Sequence, residues 1–451
     1  MKQYDLTNGS VPKQLLKFAF PIFIANLLQS CYSIVDMVVV GRFVGKAGLA
    51  AVSNAAMIGF IIQSVCTGVT MGGTVLIAQY KGAHDAQGQR HAIGTLFSVS
   101  AVAAALVTLA SLLTYRAVFQ LMRVPAGAIQ LAEDYMQVIC WGTLFVFGYN
   151  AVCSIMRGLG DSQSPLLFVA IATVINIALD LLLVGPLKMG TRGAALATIV
   201  SQGASFVISL FYLKRRAVLS DFTVQDLWIR GPVCRMLLKI GLPSAVQTAV
   251  LNLSYLLVTG MLNEYGVAVA AASGIGLKVN TFAAMPCWAV GQAVTTMAGQ
   301  NMGARQPLRA AKTAKTGLWI SLGASFITML LVQAFVGPII GLFNSDPEVI
   351  REGIQYLRIC CSLNSLLYAA MYTFDSFATG VGDSLFAMCN ALLHSVVMRL
   401  LLSWLLGSVL GYGFIGIYWG EMLSPIFSFF AGLVYFAGGR WKRHGLLTQR
   451  E

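Results

Sequence analysis

Twelve long apolar runs recur along this 451-residue chain, at about 15–40, 50–79, 92–115, 131–156, 164–184, 191–213, 238–262, 268–300, 314–336, 349–378, 385–408 and 413–437. Each is long enough to cross ~30 Å of hydrocarbon as a helix. Helices that are apolar on every side need lipid or other protein around them, so a soluble globular fold is excluded. Only 10% of the residues are charged, against about 25% in soluble domains. Alternating ten-residue segments of the kind that build a transmembrane barrel do not occur. The expected class is therefore all-α, a polytopic membrane protein with twelve transmembrane helices. Lys2, Lys13 and Lys17 lead into a full-length first run, which reads as a retained span and not a cleaved signal.

The runs fall into two matching sets of six. Pro21 and Pro243 lie 222 positions apart, and Gln79-Tyr-Lys-Gly-Ala83 lies 221 from Gln300-Asn-Met-Gly-Ala304. Tyr135 and Tyr356, and Cys140 and Cys361, are also separated by 221, while Gly158-Leu-Gly-Asp161 and Gly380-Val-Gly-Asp383 are separated by 222. Six spans is an even number, so both repeats have the same orientation. Parallel repeats related by an axis along the membrane normal are a transporter architecture. The expected organisation is an N-terminal six-helix lobe over 1–213, a linker over 214–237, and a C-terminal six-helix lobe with a basic tail over 238–451.

The net charge of +13 raises the question of nucleic acid, and its distribution answers it. With both termini in the cytoplasm, cytoplasmic segments hold 20 Lys and Arg and exterior loops hold 7. That bias is the positive-inside pattern. The basic excess reads as topology and contact with anionic lipid, with no nucleic-acid partner, and the location is the plasma membrane.

Enzyme classes find little support. Gly41-Arg-Phe-Val-Gly45-Lys46 is one residue short of a phosphate loop, and Ala47 stands where Ser or Thr would bind magnesium. There is no CxxC and no HExxH, and only His394 of the four histidines lies in a span. No cofactor is expected. The cysteines in spans (Cys31, Cys66, Cys140, Cys153, Cys287, Cys360, Cys361 and Cys389) read as small buried apolar residues. Met71, Met285 and Met297 read as core packing.

Four acids stand out because they lie inside spans: Asp36, Asp180, Asp375 and Glu421. A mid-membrane carboxylate costs roughly 2.5–3.5 kcal/mol on insertion scales, so such residues face protein or a water-filled cavity. At 1.5 Å per residue, Asp36, Asn176, Asp180, Thr198 and Tyr135 fall into one layer of the outer half. Asn176 and Asp180 are four residues apart and share a helix face. Two carboxylates close together are held by a proton or by Na⁺, which would sit at Asp36 and Asp180. A static hydrogen-bonded knot is the structural alternative. In the second half the symmetry breaks: Val258 stands at the position of Asp36 and Leu402 at about that of Asp180. Lys278, Arg399 and Glu421 are expected to form a second polar cluster, either a structural network or a substrate contact. Asp375, near the cytoplasmic end of its span, is expected to be solvated.

Taken in order, Tyr32-Ser-Ile-Val-Asp36 with Val40-Gly41, Ala78-Gln79-Tyr-Lys-Gly82-Ala83, Arg157-Gly158-Leu-Gly160-Asp161, Asn176-x-x-x-Asp180, Ile240-Gly-Leu-Pro243 and Gly299-Gln300-Asn-Met-Gly303-Ala304 resemble the bacterial branch of the multidrug and toxic compound extrusion (MATE) family. The likeness covers about 10–440. It implies two six-helix lobes in a V, a monomer, and antiport of small amphipathic, usually cationic, organic compounds against H⁺ or Na⁺ by alternating access. The family's N-lobe cation site maps to Asp36, Asn176, Asp180 and Thr198, with Tyr135 beside them. Some branches carry a further acid in span 7; here Glu264 falls only at the outer end of that span. A lipid-linked oligosaccharide flippase of the same broad fold is the alternative transporter reading. It would need a groove lined with Arg and Lys, and only Lys278, Arg358 and Arg399 lie in spans. A non-transporting receptor or scaffold is the alternative outside transport.

Overall fold

The structure is a computed structural model; it describes residues 5–215 and 222–445. Lys2, Arg216 and Arg450, which entered the charge count, lie outside the described residues. Among the described residues there are helices and no strand. The long helices are α1 (Val11–Phe43), α2 (Lys46–Gly82), α3 (Ala86–Leu121), α4 (Ala126–Gly158), α5 (Gln163–Val184) and α6 (Gly190–Arg215) in the first half. The second half holds α7 (Gly231–Asn263), α8 (Val267–Gly303), α9 (Pro307–Ala334), α10 (Val336–Phe343), α11 (Pro347–Cys360) and α12 (Leu363–Val381). It ends with α13 (Ser384–Val409) and α14 (Gly413–Gly438).

Eleven of these are long and apolar enough to cross a membrane. The twelfth predicted span, 349–378, is not one continuous helix. It divides at Cys361–Ser362 into α11 and α12, and Gln333 fills part of the gap by donating Nε2 to the carbonyls of Leu357 and Cys361 at 2.9 and 2.8 Å. The run at 413–437 is likewise interrupted, before Pro425, whose ring nitrogen cannot donate to the preceding turn.

The repeat seen in the sequence is repeated in the backbone. α1 and α7 each have 33 residues, and α2 and α8 each have 37. Positive φ angles recur at offsets of 221 to 223: Gly45 with Gly266, His84 with Arg305, Gly160 with Gly382, and Gly190 with Gly413. Gly45 and Gly266 stand at the N-caps of α2 and α8 with φ of 83° and 106°, a region where an L side chain is strained. The same sharp turn therefore starts the second helix of each half.

The described chain forms two compact units, one of residues 24–245 and one of 5–23 with 246–445. The first part of α1 thus belongs with the second unit, and the first part of α7 with the first. Both changeovers come just after a helix proline, Pro21 and Pro243. In the first unit the α7 segment sits tightly on α2: a Cβ on Gly72 would meet the Leu237 carbonyl oxygen at 2.4 Å, and one on Gly68 the Gly241 carbonyl oxygen at 2.6 Å. In the second unit Leu6, Val11, Leu15, Phe18 and Ile22 join the core made by Ala293, Val294, Met297, Phe377 and Trp441.

Each unit buries further apolar clusters. Ile58, Ile62, Cys66, Phe119, Met136 and Phe147 form one in the first unit. Val258, Leu262, Ile340, Leu357, Cys360 and Ile417 form one in the second. Large apolar side chains such as Leu113, Trp141, Phe211, Leu331 and Val434 remain exposed. So much outward apolar surface suits a bilayer and not water; the chain is a multi-pass membrane protein.

The described part of the linker is anchored. The single turn Val224–Leu227 is capped by Thr223 and Asp226, and Asp226 Oδ2 accepts from Arg90 Nε and Nη2 at 2.8 and 2.6 Å. Ser98 donates to the Leu227 carbonyl. The Arg90 guanidinium and the Thr223 backbone hold the Asp226 carboxyl down at about 2.

A candidate cation site in the first unit

Four helices of the first unit supply the five predicted site residues. Asp36 lies on α1, Tyr135 on α4, Asn176 and Asp180 on α5, and Thr198 on α6. α5 exposes one face and buries the other: Phe168, Thr173, Asn176, Asp180 and Val184 are its buried positions beyond the first turn. Their spacing of three, four or five residues is one helical stripe, and the stripe turns polar over Thr173, Asn176 and Asp180.

Asp180 is fully buried, and neither of its carboxylate oxygens has a hydrogen-bond partner among the described residues. Asp36 is buried with Oδ1 unpartnered, and Asn176 is buried with Oδ1 unpartnered. Asn176 Nδ2 donates to Thr198 Oγ1 at 3.5 Å, a long contact that ties α5 to α6. Asp36 and Asp180 are close enough to interact electrostatically with each other and with Tyr135. The structure thus brings together the carboxylates, the amide, Thr198 and the phenol that the sequence pointed to.

Sequence reasoning passed over two members. Tyr32 interacts electrostatically with Asp36 and Asp180, and it lies four residues before Asp36 on α1, hence on the same face. Thr173, three residues before Asn176, is buried with its hydroxyl unpartnered. Both were legible as helical neighbours of residues already chosen.

Val39, Val40, Val52, Val184 and Ala194 form an apolar cluster beside the site, with Val35 and Tyr135 packed against it. Two like charges in such a place repel strongly, because little solvent screens them. The unsatisfied atoms at Asp36, Asn176 and Asp180 are oxygens. Buried, unsatisfied acceptors call for an explanation, and an oxygen-only set suits a proton or a hard cation. No set of three or more His, Cys, Asp or Glu is arranged to hold a metal among the described residues, so an ion here would draw on neutral oxygens as well as the two carboxylates.

The second unit is arranged differently. Arg399 and Glu421 are both buried and within electrostatic range. Glu421 accepts from Tyr356 Oη at 3.3 and 3.4 Å and from Cys360 Sγ at 3.8 Å. Arg399 lies on a π-helical turn, Leu393–Leu400, that interrupts α13. Lys278 does not join them: it is exposed on α8. Asp375 corrects the expectation of a solvated acid. It is buried, and Oδ1 accepts from Asn390 Nδ2 at 2.7 Å, because α12 is covered by α13 along this face. Glu264 is exposed just beyond the end of α7. Cys31 and Cys389 are exposed, where burial was expected; Cys66, Cys140, Cys153, Cys287, Cys360 and Cys361 are buried as free thiols. Met285 and Met297 are core residues.

The MatE family model matches residues 21–182 and 243–405, once in each half. "Probable multidrug resistance protein YpnP" of Bacillus subtilis is 30% identical over 451 residues, covering 100% of both chains. "Probable multidrug resistance protein NorM" of Thermotoga maritima is 25% identical, covering 98% of this chain and 95% of that protein. Among solved structures, the outward-facing conformation of a multidrug resistance MATE family transporter of the MOP superfamily has a TM-score of 0.93 at 20% identity, over 98% of this chain and 99% of that one; this is a likeness of fold. With both repeats matched in order and the fold shared end to end, the chain belongs to the MatE family of membrane transporters.

Proposed function

We propose that the protein is a cation-coupled antiporter that exports amphipathic, mainly cationic, organic compounds by alternating access. The observation that carries this reading is the buried cluster of Asp36, Asn176 and Asp180, in which Asp36 Oδ1, Asn176 Oδ1 and both Asp180 oxygens lack partners among the described residues. A transporter driven by an inward cation gradient needs a site that is stable with a cation and unstable without one. Two buried carboxylates beside an apolar cluster have that property, since a proton or Na⁺ removes their mutual repulsion.

Asp36 also sits on the one helix of the site that changes unit along its length, at Phe23–Ile24. Pro21 removes a backbone hydrogen bond just before that changeover, which makes α1 the natural element to bend. Cation entry at Asp36 and Asp180 then alters how α1 packs on α5, substrate leaves outward, and the cation moves inward as the lobes reset. Each elementary charge crossing 100 mV contributes about 2.3 kcal/mol. The names of the relatives YpnP and NorM support multidrug compounds as cargo. We place the protein as a monomer in the plasma membrane with both termini cytoplasmic, on the Lys and Arg bias.

The test is ethidium efflux from cells carrying the wild type, Asp36→Asn or Asp180→Asn, under a pH gradient alone and a Na⁺ gradient alone. Export by the wild type under one gradient, with both variants inactive, identifies the ion and the site. Full-rate export by both variants, inserted at normal levels, refutes the coupling role.

A further inference from the structure

Arg399 is 2% exposed, yet its Nε and Nη1 have no hydrogen-bond partner among the described residues. Nη2 lies at the long distance of 3.5 Å from His394 Nε2, and the guanidinium also interacts with the Tyr255 side chain and, electrostatically, with Glu421. No ion pair joins it to Glu421 among the described residues; that carboxylate is taken by Tyr356 and Cys360. A buried guanidinium with two open donors and no direct counter-charge is expensive, and a protein retains such a group where something completes it. The guanidinium rests on the ring of Tyr255, 4.1 Å from carbon to centroid, so one face is occupied and its edge is left for an acceptor.

The surroundings show the shape of that acceptor. Tyr368 lies beside His394 with centroids 5.9 Å apart and near-parallel to Tyr372 at 6.0 Å and 14°. Trp288 Nε1 donates to Tyr368 Oη at 3.2 Å. Tyr255, Trp288, Tyr368 and Tyr372 are all part-exposed, whereas the Arg399 side chain beside them is buried. Rings present faces for stacking, and a guanidinium binds a carboxylate through charge-assisted hydrogen bonds.

We propose that this cluster of the second unit binds planar aromatic compounds that carry a carboxylate, with the ring on the tyrosine–tryptophan wall and the carboxylate on Arg399. As a statement about cargo it rests on the export reading above; as a statement about binding it does not. The site lies in the second unit and is separate from the Asp36 and Asp180 cluster of the first.

The probes are rhodamine B, a xanthene dye with a free carboxylate, and its ethyl ester, the same dye without that charge. Dye anisotropy with the purified full-length protein in nanodiscs, with no gradient, measures binding apart from coupling. The wild type is expected to bind the acid more tightly than the ester. Arg399→Gln is expected to weaken the acid at least tenfold and the ester less than twofold, with Arg399→Lys between. Tyr368→Ala is expected to weaken both dyes. A wild type that does not prefer the acid, or an Arg399→Gln variant that keeps the preference, overturns the proposal. If Arg399→Gln loses both dyes, Arg399→Lys decides: retained ester binding with weakened acid binding supports the site, and loss of both makes Arg399 a structural residue only. Failure of dye export with this binding pattern intact counts against the export reading and not against the site.

Discussion

Replacing Asp180 by Asn separates a working ion site from a structural one, because the two give opposite signs for stability. Asp180 is 0% exposed and neither oxygen has a partner among the described residues, so the native charge has no described hydrogen bond to lose. A carboxylate in this setting costs roughly 2.5–3.5 kcal/mol on insertion scales, and a neutral amide left without a partner costs about 1–3 kcal/mol. The exchange is therefore neutral or favourable by up to about 2 kcal/mol. At ~2–4 °C per kcal/mol for a unit of this size, the expected Tm is unchanged or higher by up to ~8 °C while efflux is lost. Had the cluster been a hydrogen-bonded knot, removing the charged acceptor would cost about 1.5–3 kcal/mol and lower the Tm. Intrinsic tryptophan or thiol-dye melting of the purified protein, with and without Na⁺, reads this directly. If Na⁺ is the coupling ion, it raises the wild-type Tm, by about 2.7 kcal/mol of stability at a hundred times Kd, and leaves Asp180→Asn unmoved. A fall in Tm of several degrees with efflux preserved refutes the reasoning.

Three further outcomes are expected. Asp226 is held down at about 2, first by Arg90 and then by the Thr223 backbone. A lowered carboxyl stabilises the docked linker above the unfolded-state value of ~3.9 and loses that contribution as pH falls through about 2. Protection of the amides over 222–230, taken relative to intrinsic exchange at each pH, should therefore hold at pH 5 and fall between about pH 4 and 2, and Arg90→Gln should lower it already at pH 7. Asn390→Leu removes the hydrogen bond that Asp375 Oδ1 accepts; leaving that buried acid unpaired is expected to cost about 1–3 kcal/mol, seen as a lower Tm, with Asn390→Gln milder. Gly72→Leu puts a side chain where the Leu237 carbonyl oxygen already lies 2.4 Å from an ideal Cβ; overpacking of about 1–3 kcal/mol should lower the Tm, and Gly59→Leu, with open space around it, should leave it unchanged.

Composition and spacing alone determined the class, the repeat and the candidate acids. A chain with 10% charged residues and recurring apolar runs has no soluble solution, and in lipid the backbone must satisfy itself as helix. Asp36 and Asp180 were conspicuous because an acid in such a run is costly enough to need a reason, and Asn176 and Thr198 followed from helical spacing and depth. Tertiary structure decided the rest. Asp375 sits near a helix end, where sequence favours solvation, but the packing of α13 on α12 buries it; burial depends on which neighbour covers a face, and spacing along one helix does not carry that. Lys278 and Arg399 looked alike as in-span bases, and only packing leaves one exposed and sets the other against Tyr255. The division of α11 from α12 is held by Gln333, a partner 24 and 28 positions away from the carbonyls it caps. The passage of α1 and α7 from one unit to the other is the strongest case. Pro21 and Pro243 were visible as matching positions, but which unit each helix start joins is a matter of close packing, Leu15 and Phe18 with Val294 and Met297, and Gly241 with Gly68. Those contacts join residues far apart in the chain, and they form only when the whole fold does.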